Sequence, residues 1–282
     1  MTAARLILVV LFAVGLTGGW VAPTSAQTPP ASTPIVIGQS WALPSTVMGG
    51  AREINVWTPP GYADSGKTYP VVYLLDGGQD QDFHHISGLA QLGTVNGSTR
   101  DVIVVGIATA DRRNELALPT GDPDLIARYP TQGQSDRFRR FVGEEVQPFI
   151  EARYRTSGET VLMGESLAGL FVVETFLKEP QMFDAYVAVS PSLWWDGGVL
   201  AHQAGAHLRD HSNAPRTLIL TIADEGGAMQ TAMDDLVANL RQFAMPGLTW
   251  TYTPRPTENH ATIYHGAALE AWRTLFAVEP TP

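Results

Sequence analysis

Short runs in which every residue is apolar, each followed by a stretch with helical spacing, set the strongest limit on what this chain can become. Residues 71–75 (VVYLL) and 102–107 (VIVVGI) are two such runs. A strand with one wet face alternates apolar and polar residues. A strand with no polar face must be covered on both sides, as in the interior of a parallel sheet. Residues 160–163, 185–189, 217–222 and 248–253 read as further strands, and 35–42 and 52–58 as earlier ones, the second ended by Pro59-Pro60-Gly61. Between them the period becomes helical. Over 135–155, Phe138, Phe141, Val142, Val146, Phe149, Ile150 and Tyr154 fall on one stripe. Helices are also expected at 167–178, ahead of Pro180, at 229–243 and at 267–276. This alternation predicts right-handed βαβ units: an α/β protein with a mostly parallel central sheet and helices on both faces. No repeat or linker divides the pattern, so a single domain over 35–278 is expected. Residues 110–134, rich in Asp, Arg, Pro and Gly, read as one long irregular loop, a length usually tied to function.

The first residues follow a different logic. Arg5 supplies one positive charge, an apolar run extends from 6 to 22, and Pro23-Thr24-Ser25-Ala26 closes it with small residues. These are the three parts of a secretory signal peptide, with cleavage expected after Ala26. An uncleaved anchor is the alternative, because 6–22 approaches the length of a membrane span. Gly15, Gly18 and Gly19 inside the run favour cleavage. Residues 27–34 (QTPPASTP) then form a flexible leader. The expectation is a periplasmic or secreted protein with no stable membrane insertion after cleavage. Cysteine is absent, which excludes disulfides, Cys-ligated metal, a cysteine nucleophile and a lipid-modified N-terminus. A net charge of −10 without a basic cluster argues against nucleic acid as a partner.

Chemistry concentrates after the run at 160–163, in Gly164-Glu165-Ser166-Leu167-Ala168-Gly169. This is close to the G-x-S-x-G nucleophile elbow, with Ala168 in place of the last glycine. A serine on a sharp strand-to-helix turn needs small neighbours, and its hydroxyl then stands above the sheet. The backbone N–H of Leu167 lies at a helix N-terminus, where developing negative charge is stabilised. The plain alternative is a Gly-Ser turn that only joins strand to helix.

Four segments taken together resemble a known family: GESLAGLF (164–171), YPVVYLLDGG (69–78), SPSLWWD (190–196) and ENHATIYHGAALEAWRTLF (258–276). Their order and content are similar to the putative-esterase branch of the α/β hydrolases, which includes esterase D and the enterobactin siderophore esterases. The resemblance covers roughly residues 35–276 and implies the α/β-hydrolase fold. It also implies a serine carboxylic-ester hydrolase acting through an acyl-enzyme on small-molecule esters, siderophore esters among them. It gives Ser166 as nucleophile and His260 as base, with His265 the nearby alternative. The acid that orients the imidazole should follow the penultimate strand, where Asp224 and Glu225 both stand, and family members favour Glu225. A Ser–His pair without an acid is the other possibility. The oxyanion donors would be the N–H groups of Leu167 and of Gly78 in the Asp76-Gly77-Gly78 loop. An acyltransferase of the same fold and a non-catalytic binding protein are the rival functions.

No metal and no organic cofactor is needed for such chemistry. Around the site, Arg112 and Trp194 are candidates for substrate binding, with Arg113 and Trp195 beside them; ion pairing and core packing are their ordinary alternatives. Glu115 and Ala117 depart from the Asp and Thr usual in the related motif. His84 and His85 are expected near the mouth of the site, as substrate contacts or, on weak grounds, metal ligands. His202, His207 and His211 are expected on a solvated surface. Oligomeric state does not follow from the sequence.

Overall fold

The computed structural model describes residues 32–278. The targeting segment expected over 1–26 lies outside the described residues, as do 27–31. The chain divides into residues 1–36 and a folded unit beginning at Ile37. Of the first part only 32–36 are described, and they hold no helix or strand.

The folded unit opens with an antiparallel hairpin, β1 (Gln39–Ser45) and β2 (Gly50–Trp57). There follow α1 (Tyr62–Ser65), β3 (Tyr69–Leu75), α2 (Phe83–Asn96), β4 (Ile103–Ile107), α3 (Arg112–Leu116), α4 (Pro123–Arg128) and α5 (Ser135–Phe141). A π-helical turn at Val142–Val146 leads to α6 (Gln147–Glu151), β5 (Thr156–Glu165), α7 (Leu167–Lys178) and β6 (Ala185–Val189). The chain then forms α8 (Val199–Asp210), β7 (Arg216–Ala223), α9 (Gly227–Phe243), β8 (Leu248–Arg255) and α10 (Ile263–Leu275).

The eight strands lie in the order β1-β2-β4-β3-β5-β6-β7-β8. All pairs from β4 to β8 are parallel, while β1, β2 and β4 pair antiparallel. The chain runs from β3 out to β4 and then returns across β3 to β5. Loops leaving the C-terminal ends of β3 and β5 therefore diverge, and such a switch point opens a crevice for ligands.

The buried runs divide between two cores as a period of two requires. Val71, Tyr73 and Leu75 of β3 join Phe138, Phe171, Leu200 and Leu236 on one face. Val72 and Leu74 join Ile86, Ile263 and Trp272 on the other. Each large apolar side chain buried this way contributes about 1.5–3 kcal/mol, so helices must cover both faces.

Three sequence expectations change in detail. The first strand, expected at 35–42, occupies Gln39–Ser45, because the tight turn that sets Ser45 opposite Gly50 fixes its register on β2. The single helix expected over 135–155 is interrupted by the π turn. Pro148 has no N–H to donate back to Glu144, so the ladder shifts there; Phe138, Phe141, Val142, Val146 and Ile150 remain fully buried. The stretch 110–134 is not wholly irregular. Asp111 and Asp122 accept backbone N–H bonds that start α3 and α4, and Pro123 pre-sets the first turn of α4.

Candidate active site

At the end of β5 the chain turns so sharply that Ser166 takes φ 59° and ψ −117° before α7 begins at Leu167. This left-handed backbone is costly for a residue with a Cβ and is held by its surroundings. The N–H of Ser166 donates to the Val189 carbonyl at 2.9 Å, and the N–H of Ser192 donates to the Ser166 carbonyl at 2.9 Å. The turn is thus clamped to the loop after β6. A Cβ added at Gly164 would lie 2.6 Å from Ala168 Cβ and 2.8 Å from Ala168 C, so glycine is required there. Ala168 fills the space that a glycine at its own position would leave open.

The loops after β7 and β8 converge on that serine. His260 Nε2 lies 3.0 Å from Ser166 Oγ, and His260 Nδ1 lies 2.7 Å from Glu225 Oε1. The carboxylate accepts from Nδ1–H, which leaves Nε2 with a lone pair to receive the serine proton. Glu225 is largely buried, while His260 keeps 43% of its side chain exposed. Asp224 takes no part: it is exposed, and its amide donates to the Glu258 carbonyl. His265 is exposed on α10 and pairs with His85 of α2 at 2.9 Å, away from Ser166.

Leu167 is the first residue of α7, and the first-turn amides of a helix have no partner within it. The second amide expected at the oxyanion, that of Gly78, is engaged by a side chain in this structure. Gly78 donates its N–H to Gln81 Oε1 at 2.9 Å and does not line the cleft around Ser166. Gln81 is itself tied to Thr109 by its amide nitrogen at 2.9 Å. The Asp76-Gly77-Gly78 loop instead sits flush on β4, where a Cβ at Gly77 would meet Gly106 Cα at 2.3 Å.

What that loop delivers is Asp76. Its carboxylate accepts from Arg112 Nε at 2.7 Å and from Thr109 Oγ1 at 2.5 Å. Arg112 is therefore anchored on one edge, with its Nη2 3.5 Å from the Glu165 carbonyl. It lines, with Arg113, Ser166, Leu167, Trp194 and Met229, an open cleft that also holds Ser192, Glu225 and His260. Arg113 lies 4.3 Å from the ring centre of Tyr129. The paired tryptophans have different positions. Trp194 is partly exposed, whereas Trp195 is buried and donates its indole N–H to the Leu118 carbonyl at 2.9 Å. Glu115 is buried in a pair with Arg52 at 2.7 Å, so its departure from the related motif is spent on packing.

Three histidine expectations need correction. His84 and His85 are not among the residues that line the cleft: His84 is exposed on α2, and His85 packs against His265 and Tyr264 of α10. Among His202, His207 and His211, the last is not solvated. It is half-buried at the end of α8, packs edge-on against Phe176, and bonds the Leu177 carbonyl at 3.0 Å.

Two carboxyl groups near the elbow were not singled out by motif. Burial pushes Glu165 up to about 7, and His260 and Arg112 only partly oppose it. Asp82, at the head of α2, is pushed up to about 6 by burial and then by the charge of Asp76. Their signal in sequence is weak: one is the variable position of the elbow, the other lies six residues past a turn aspartate. Ser192, within the SPSLWWD segment, is the third group missed, and its Oγ lies 3.3 Å from Ser166 Oγ.

The strand order and the turn after β5 place the chain among proteins of α/β-hydrolase type. More narrowly, it belongs to the family described as "Putative esterase", whose model matches residues 45–279. A solved IroE-like serine hydrolase from Shewanella oneidensis superposes with a TM-score of 0.76 at 30% identity, covering 86% of this chain and 82% of that one. The chain is 28% identical to the ferri-bacillibactin esterase BesA of Bacillus subtilis, over 79% of its own length and 82% of that protein's. It is 29% identical to the siderophore enterobactin esterase of Emericella nidulans, over 58% of its own length and 66% of the relative's.

Proposed function

We propose that this protein is a serine esterase that cleaves carboxylic esters of siderophore type through an acyl-enzyme. The observation that carries the reading is the hydrogen-bonded series Glu225–His260–Ser166, set on a strained turn at the head of a helix. Ser166 Oγ attacks the ester carbonyl as His260 Nε2 takes its proton, and Glu225 holds the imidazole and stabilises its charged form. The Leu167 N–H faces the developing oxyanion. His260 then gives its proton to the leaving alcohol. Water, deprotonated by the same nitrogen, releases the acid and restores Ser166.

Siderophore esters are supported by the names of the relatives and by the cleft. Arg112 and Arg113 offer positive charge, and Trp194 a flat apolar surface, to an anionic aromatic acyl group. A periplasmic or secreted location is supported by the pattern of residues 1–26. Among the described residues no helix is long and apolar enough to cross a membrane.

The test is hydrolysis of short p-nitrophenyl esters and of enterobactin by the wild type and by Ser166→Ala. The reading expects both activities in the wild type and their loss in the variant. Wild-type turnover in Ser166→Ala would overturn the mechanism. Cleavage of the simple ester without enterobactin would overturn the substrate.

A further inference from the structure

We infer that Ser192 is a positioning residue for the nucleophile, a role that rests on the esterase reading above. Four directions surround Ser166 Oγ. One is the bond to Cβ. A second is the O–H, which points to His260 Nε2 at 3.0 Å because Glu225 holds the proton of the ring's other nitrogen. Two lone pairs remain. Ser192 Oγ lies 3.3 Å from Ser166 Oγ. Since the only proton of Ser166 is already committed, Ser192 is the donor. Its O–H occupies one lone pair, and the last lone pair is the one left to attack the carbonyl.

The surrounding backbone is built to hold this geometry. Ser192 is buried at 4% exposure. Its own N–H donates to the Ser166 carbonyl at 2.9 Å, and the Ser166 N–H donates to Val189 at 2.9 Å. The loop that carries Ser192 is bonded to β7 as well: Ser190 has φ 38° and accepts the Ala223 N–H through its hydroxyl at 3.1 Å. The two serines are thus tied together by main chain on both sides, and the Ser192 hydroxyl can follow the nucleophile without searching. As Ser166 gives its proton to His260, negative charge builds on Oγ. The Ser192 donor stabilises that charge while the opposite lone pair forms the new bond. No proton leaves Ser192; the Ser166 proton goes to His260 Nε2 as the new bond forms.

The variants Ser192→Ala and Ser192→Thr separate this role from packing and from substrate contact. Each is examined for ester turnover and for the rate at which a small fluorophosphonate labels Ser166. The fluorophosphonate needs the nucleophile but not the acyl-group contacts. Loss of one hydrogen bond to a developing charge is expected to lower kcat and the labelling rate of Ser192→Ala about tenfold, with KM little changed. Ser192→Thr, which keeps the hydroxyl, recovers both. An alanine variant with wild-type kcat and labelling overturns the proposal, as does a change confined to KM, which marks a substrate contact. If Ser192→Ala fails to fold, Ser192→Cys, a weaker donor of similar size, must show a slowed labelling rate or the proposal fails. A wild type that the probe does not label overturns the esterase reading itself, and this inference with it.

Discussion

Glu225 and Asp224 are neighbours in sequence with opposite surroundings, and the difference is measurable. Glu225 is largely buried against the imidazole, while Asp224 points to solvent. Glu225→Gln keeps the shape but no longer favours the Nδ1–H tautomer or the charged ring, and should lower kcat on the order of 10²-fold or more. Asp224→Asn should leave kcat within about twofold, as surface substitutions do. Equal losses in steady-state ester hydrolysis would contradict the assignment. The meeting of Ser166, His260 and Glu225 was legible because each follows a recognisable strand, and the fold delivers the C-terminal ends of β5, β7 and β8 to one place. The partner of the Gly78 amide is something that sequence does not display. That amide is captured by a side chain three residues ahead, a contact that depends on how Thr109 of the next loop anchors Gln81. Ser192 was hidden differently, because 26 residues separate it from Ser166 and they meet only once β5 pairs with β6 and the Val189–Ser166–Ser192 hydrogen bonds form.

At the scale of elements, the elbow depends on the contact between the end of β5 and the first turn of α7. Gly164→Ala would force a methyl into Ala168, whose Cβ and backbone stand 2.6–2.8 Å away. Such overpacking costs roughly 1–3 kcal/mol, and here it also moves Ser166. Thermal denaturation should show the loss of stability, and ester hydrolysis should fall further than stability alone explains; a variant with normal melting and turnover would contradict the account. The far half of α7 is held by charge. Arg139 of α5 and Glu174 of α7 are almost fully buried 3.5 Å apart, with Lys178 2.6 Å from the same carboxylate. Arg139→Met removes one of the two cations and should cost about 3 kcal/mol. The double variant with Glu174→Leu should recover much of that, measured by urea denaturation. No recovery would mean that Arg139 is held by Asp136, Glu179 and packing, and not by Glu174. Helix and strand cores were readable from period, but the π turn and the short helices α3 and α4 were not. A segment of five or six residues carries too little periodicity, and its capping bonds are visible only once the loop is folded.

For the molecule as a whole, the raised carboxyls make a prediction about pH. Glu165 moves from 4.5 to about 7 and Asp82 from 3.8 to about 6 on folding. Between these values the folded state holds protons that the unfolded chain has released, so the contribution of both groups to stability falls as pH rises through this window. Unfolding midpoints compared at about pH 5 and about pH 8 should show a smaller decline in Glu165→Gln and Asp82→Asn than in the wild type. An unchanged decline would place the two carboxyls in water. The same arrangement explains why the site is built where it is: the crevice between β3 and β5 is where diverging loops leave room, and burial there sets the chemistry of whatever carboxyls line it. Whether Ser166 is an activated nucleophile is decided by treating the protein with a fluorophosphonate and mapping the adduct by peptide mass. One adduct is expected, on Ser166, and it should be lost in His260→Ala. An unmodified protein, or an adduct on another residue with Ser166 untouched, would contradict that role.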